Sequence, residues 1–329
     1  MSGANAWPEG LVPFGWHGIS GFVPPEWNLA GLGGDYQAGY LRLEDSQMAR
    51  LEVKWSQGDV DLDKALDRYL GSLEKKGRKR TGITTVKGVR TVSRRSRPDK
   101  RLLGFTWDGP GARGPVRAEG CIWHCRTCKR TVVAQVMAPE GEDVSSLARG
   151  VLTSLEDHPS GGSHTWALYG LACRIPEEYR LERHRLMAGY IELLFARGKS
   201  TLRVERWGMA NIILSKENLQ EWVARQNRKR KDVRAAAEPS QVHGHEGAAL
   251  RGHRRRPMHR ARVGAERALG RRVPTQVAGQ VWHCPASNRI YSIESVHWTD
   301  DTPFGKVVES VVCHLPGADN GGTSGVGRC

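Results

Sequence analysis

The chain has 329 residues, 39% of them apolar and 26% charged, which reads as a soluble globular protein of about two domains. Its apolar runs fall far short of the ~20 residues that span a bilayer. Met1 to Gly15 lacks the basic and apolar regions of a secretory signal, so a cytoplasmic location and no membrane contact are expected. The formal charge of +15 favours solubility and attraction to polyanions or acidic partners and is silent on fold.

In chain order, the first landmark is Val23-Pro24-Pro25-Glu26-Trp27-Asn28-Leu29. Leu41, Leu43, Leu51, Val53 and Trp55 then alternate with polar residues, the period of half-buried strands, with a hairpin connection over Ser46 to Ala49. The period changes at Leu62, Leu66, Tyr69, Leu70 and Leu73, one face of a helix for which Asp61 is a suitable N-cap. A strand-rich stretch ends in Ile122 to Val136, and Val144, Leu147, Val151 and Leu155 predict a closing helix. Asp157 to His164, rich in Pro and Gly, predicts a linker.

The same series then recurs. Ile175-Pro176-Glu177-Glu178-Tyr179 echoes the first landmark, and Ala188-Gly189-Tyr190-Ile191 echoes Ala38-Gly39-Tyr40-Leu41. Trp207 answers Trp55, and Leu219, Trp222 and Val223 answer the first helix. Trp282-His283-Cys284 with Arg289 matches Trp123-His124-Cys125 with Arg130. Val307, Val308, Val311 and Val312 predict the second closing helix, and His314 answers His158. The offset stays between 150 and 159 residues and the order is kept, so the chain is two diverged copies of one unit. The expected class is α+β: two tandem pseudo-symmetric units, each a mostly antiparallel sheet flanked by helices. Their bounds are 16–158 and 166–316, with a linker at 159–165, a basic insertion at 228–272 and a disordered tail at 317–329.

The opening strand with its Pro-Glu-aromatic turn (Pro25-Glu26-Trp27, and Pro176, Glu178 and Tyr179 in looser form), then hairpin, helix, strands and closing helix, resembles the PsbP-like/DcrB-like superfamily. The resemblance implies an antiparallel sheet flanked by helices and a role as a binding or assembly module. It carries no catalytic residue onto this chain.

Charge is concentrated in two segments, Glu74 to Arg101 and Arg228 to Arg272, each with a net charge of +10. Their clusters are Lys75, Lys76, Arg78, Lys79, Arg80, Arg94 and Arg95, and then Arg228, Lys229, Arg230, Lys231, Arg254, Arg255 and Arg256. One reading is a polyanion surface that contacts nucleic-acid phosphates. The other is solvated loops or a docking site for an acidic protein. Neither segment has a Phe, Tyr or Trp on which bases could stack. His243, His245, His253 and His259 in the second segment read as composition, because the cationic field would repel a divalent ion.

The seven cysteines, odd in number and unevenly spread, do not form a disulfide framework. Cys125 and Cys128 form a Cys-x-x-Cys with Cys121 nearby, half of a zinc motif. In the second copy Ser287 stands where Cys128 does, which suggests that the unit forms without the second thiol. The cysteines are therefore read as structural, with zinc or a redox pair at Cys125 and Cys128 as alternatives. His158 and His314 are read as partners of a helix C-terminus.

The sequence contains no phosphate-loop, His-Glu-x-x-His or Gly-x-Ser-x-Gly motif, and no catalytic residue is assigned. The expected function is a non-catalytic binding or scaffold protein that recognises a protein partner and needs no cofactor. Polyanion binding and a zinc- or thiol-dependent activity are the alternatives.

Overall fold

The computed structural model describes residues 10–77, 82–89, 100–159, 161–230, 233–254, 275–297 and 303–314. It separates into two units, Met1–Tyr169 and Gly170–Cys329.

The first unit runs β1 (Val12–Trp16), β2 (Ile19–Val23), β3 (Asn28–Gly34), β4 (Ala38–Glu44), β5 (Ala49–Gln57), α1 (Leu62–Gly77), β6 (Thr84–Lys87), β7 (Lys100–Gly111), β8 (Gly114–Cys125), β9 (Arg130–Pro139), α2 (Val144–Ser154) and β10 (Ser163–Leu168). Seven of its strands form one antiparallel sheet in the order β3-β4-β5-β9-β8-β7-β6. Hairpin neighbours account for both halves of that order, and the pairing of β5 with β9 joins them. Strand β1 pairs with β2 and also with β10.

The two faces of the sheet are covered differently. Asp61 accepts from the backbone N–H of Lys64 at 3.2 Å and starts α1. Leu62, Leu66 and Leu70 of α1 then bury against Phe105, Trp107, Ala118, Ile122 and Met137. Gly120 is required beneath them, since a Cβ there would lie 2.4 Å from the Phe105 ring and 2.7 Å from the Ala134 carbonyl oxygen. Helix α2 is capped by Asp143, which accepts from Ser145 and Ser146, and it buries Val144, Ala148, Val151 and Leu152. It touches β8, β9 and β2, and Ser154 Oγ accepts from Phe22 N at 2.9 Å. The β1–β2 turn is His17-Gly18, both at positive φ, as a two-residue primed hairpin turn requires.

The second unit contains β11 (Leu171–Pro176), β12 (Arg180–Met187), β13 (Tyr190–Arg197), β14 (Ser200–Gly208), α3 (Ala210–Ile213), α4 (Leu219–Lys229), β15 (Val233–Val242), β16 (His245–Arg254), β17 (Gln276–Cys284), β18 (Arg289–His297) and α5 (Phe304–Glu309). Its seven-stranded order, β12-β13-β14-β18-β17-β16-β15, repeats that of the first unit strand for strand. Helix α4 starts from an Asn218–Glu221 capping box and packs Leu219, Trp222 and Val223 on Ala248, Leu250, Val281 and Ile290. Ser310 Oγ accepts from Arg174 N at 2.9 Å, the counterpart of the Ser154–Phe22 contact.

The class departs from the α+β expectation. The described residues are mostly β, 57% strand and 18% helix, with large antiparallel sheets and short helices. Strands β7 and β8 are twelve residues each, longer than their broken alternation reveals, because both faces of these strands are buried over part of their length. Two narrower differences follow from burial. Asp157 and His164, read as linker residues, are buried, and 163–165 lie in β10. The segment 228–272, read as an insertion, supplies β15 and β16 to the sheet. The tail 317–329 lies outside the described residues. No helix among the described residues is long and apolar enough to cross a membrane.

Leu66 lies at the centre of the α1 face of the core. Leu66→Ala is expected to lower the unfolding free energy by about 2–5 kcal/mol, measured by urea denaturation followed by tryptophan fluorescence. A cost within error of zero would remove α1 from the cooperative core.

Candidate metal centres

Two groups of buried and half-buried donors stand at equivalent places in the two units. In the first, Cys125 ends β8, Cys128 lies in the following turn, and Asp157 and His158 lie beyond α2. Lys129, at φ 57°, closes that turn by donating its N–H to the Cys125 carbonyl at 3.0 Å. In the second, His245 starts β16, Cys284 ends β17, and Cys313 and His314 follow α5. In each group four side-chain donor atoms lie within 4.8 Å of one another.

The second group has the composition of a closed Cys₂His₂ site. Cys284 Sγ and Cys313 Sγ each lie 3.3 Å from His314 Nδ1, and Cys313 Sγ lies 3.4 Å from His245 Nε2. Tetrahedral zinc with ordinary Zn–S and Zn–N bonds places its ligand atoms roughly 3.3 to 3.8 Å apart. The donor set therefore fits a zinc ion. Tyr291, stacked on Trp282 with ring centroids 5.4 Å apart, donates to the Cys313 carbonyl at 3.0 Å and fixes the backbone beside the site.

The first group differs in one ligand and one neighbour. Cys125 Sγ lies 3.5 Å from His158 Nδ1, which is itself 2.9 Å from Asp157 Oδ1. Asp157 has no exposed surface. Trp123 Nε1 donates to its Oδ2 at 2.7 Å, and Lys100 Nζ sits 2.8 Å from its Oδ1. Burial pulls the Asp157 carboxyl upward, but Lys100, Trp123 and His158 outweigh it and hold the group below the ordinary range. Arg130, fully buried, donates to the Asp157 carbonyl at 3.1 Å and to the His17 carbonyl at 2.7 Å, and lies over the Tyr36 ring. Its counterpart Arg289 donates to the Gly170 carbonyl at 3.2 Å.

Cys128 and Cys313 are poor nucleophiles in this setting. Burial, then the Asp157 charge, pushes the Cys128 thiol up to about 12. Burial, then Cys284, does the same to Cys313, also to about 12. A redox Cys-x-x-Cys needs the opposite shift, whereas a bound cation would deprotonate the thiols outright.

Cys125 and Cys128 are thus brought together, while Cys121, inside β8 opposite Gly104 and Ala134, is not among the clustered donors. The second copy does not do without a second thiol: where Ser287 replaces Cys128, Cys313 supplies the sulfur. His158 and His314 face this chemistry rather than a helix end, since α2 stops at Ser154 and α5 at Glu309. His245, passed over as composition, is a donor. The signal that could have found the second site was the Cys313-His314 pair falling in step with Asp157-His158.

The basic residues divide. Lys75, Arg228 and Lys229 are exposed, and Lys76 lies in the last turn of α1. Arg230 is committed to Glu294 in a two-point ion pair, with Nη2 to Oε1 at 2.9 Å. Arg254 closes β16. Arg78, Lys79, Arg80, Arg94, Arg95, Lys231, Arg255 and Arg256 lie outside the described residues.

That Arg230–Glu294 pair lines a pocket of about 370 Å³ between α4 and the sheet, shared with Glu192, Glu205, Tyr190 and Trp207. Burial pushes the Glu205 carboxyl up to about 7.

Comparison of the chain with protein-family models and with curated proteins finds no match.

Two outcomes are expected. Asp157→Asn leaves the Lys100 ammonium buried without its counter-charge and is expected to cost about 3–5 kcal/mol in urea unfolding. The double variant Asp157→Asn/Lys100→Met is expected to recover part of that loss, and equal costs for single and double variants would dissociate the pair. Glu205 binds its proton more tightly folded than unfolded, so its contribution to stability falls as pH rises from about 4.5 to about 7. Glu205→Gln is expected to flatten the stability–pH curve in that window, read as thermal midpoints across a pH series.

Proposed function

We propose that the protein is a non-catalytic binding protein, built from a duplicated β unit and held by a structural zinc ion, that recognises a protein partner in the reducing cytoplasm. The observation that carries the metal part is the His245, Cys284, Cys313 and His314 group. Four protein donors leave no open coordination position, which is the form of a structural rather than a catalytic zinc site. Held thiolates suit a reducing compartment, and Cys128, Cys173, Cys284 and Cys313 form no disulfide among the described residues.

A protein partner is supported by strand β12, which forms one edge of its sheet and is exposed along most of its length. An edge strand offers unpaired backbone donors and acceptors to an added strand. Its exposed Arg185, like the overall charge, favours an acidic segment.

Full-length protein purified under reducing conditions without added metal is expected to contain zinc by elemental analysis. Cys313→Ser and His245→Ala are each expected to lower the zinc content and the thermal midpoint together. Metal-free protein whose midpoint ignores both added zinc and a chelator would end the zinc reading.

A further inference from the structure

The two donor groups are not equivalent, and the difference lies at one strand position. In the first unit Lys100 pairs across the sheet with Cys125. In the second, Gly247 pairs with Trp282, and the same register carried two residues further sets His245 opposite Cys284. Because Trp123 and Trp282 are counterparts, Lys100 and His245 occupy the same place in the fold. One is a cation and the other a metal ligand.

The surroundings of Lys100 hold its amino group in place. Its side chain is 7% exposed, its Nζ lies 2.8 Å from Asp157 Oδ1, and it stands 5.7 Å from the centre of the Trp123 ring. Asp157 Oδ2 is taken by Trp123 Nε1, and Oδ1 also faces His158 Nδ1. Three of the roughly four acceptor sites of Asp157 are thus engaged, and an incoming dication must sit beside a buried positive charge. In the second unit the carboxylate is replaced by Cys313 and the ammonium by an imidazole, so neither obstacle exists.

Resting on the zinc reading above, we infer that Lys100 acts as a built-in substitute for the metal in the first unit, so that each chain holds one tightly bound zinc ion, at His245, Cys284, Cys313 and His314. The exchange of Lys100 for His245 sets which unit is metal-dependent. Cys125 and Cys128 then remain thiols in a unit whose buried carboxylate is neutralised by protein.

The test is titration of metal-depleted, full-length protein with Zn²⁺ against a chromophoric chelator, repeated with Co²⁺ to read thiolate-to-metal charge transfer and tetrahedral d–d bands. The wild type is expected to take one equivalent at least about 100-fold tighter than any second. Cys128→Ser is expected to leave that equivalent untouched, and Cys313→Ser to abolish it. Lys100→His is expected to add a second tight equivalent with its own charge-transfer band. Two equally tight equivalents in the wild type, or loss of the tight equivalent in Cys128→Ser, would overturn the inference while leaving the zinc reading intact. A Lys100→His chain with wild-type circular dichroism and still one equivalent would also overturn it. No tight zinc or cobalt in any of these proteins would remove the zinc reading itself.

Discussion

A carboxylate with no exposed surface must be compensated, and in the first unit Asp157 imposes that demand on everything near it. Lys100 reaches it from β7, Trp123 from β8 and His158 from the next residue, while Arg130 at the start of β9 holds its carbonyl. The segment after α2 is thereby tied to three neighbouring strands of the sheet. Through the His17 carbonyl, Arg130 also ties it to the β1–β2 turn. One buried charge thus fixes where the chain goes after its closing helix.

In the second unit the demand is absent and the solution changes with it. Cys313 stands where Asp157 does, His245 where Lys100 does, and Ser287 where Cys128 does. Read singly, each is an ordinary drift between copies. Read together they exchange one local charge balance, carboxylate with ammonium, for the one we propose, thiolates with a dication. What survives unchanged is the frame: the buried tryptophan, the cysteine two residues on, the arginine to the hairpin turn, and the histidine beyond the closing helix. Such coupled replacement is what physical compensation requires, since a lone Asp157 or a lone Lys100 buried there would be costly.

The sheets supply the rigidity that this exchange depends on. Each donor except those beyond the closing helices comes from a long sheet strand or the turn after it, with partners paired residue by residue. Glycine at 120 lets the Phe105 ring lie against β8, and α1 seals that face. On the other face α2 lies against β8 and β9, and β2 packs on α2. The polar pocket under α4 shows the same economy of position, with Arg230 at the end of a helix satisfying Glu294 in the middle of a strand.

By itself the sequence determined the duplication, because order and spacing of anchors survive divergence even where single residues do not. It also determined the first hairpin, its helix and the Asp61 cap, since period and capping are local properties read within one or two turns of chain. The balance between sheet and helix was not legible, because strands buried on both faces lose their alternation. Nor were the donor groups: His245 and Cys284 are 39 positions apart and Cys313 a further 29, so only the cross-strand register and the return of the chain after α5 bring them together. Sequence proximity favoured Cys121, which strand geometry carries away from the turn. Tertiary structure decided between these because a metal site is defined by distances across the fold, and those are set by how strands pair rather than by how residues follow one another.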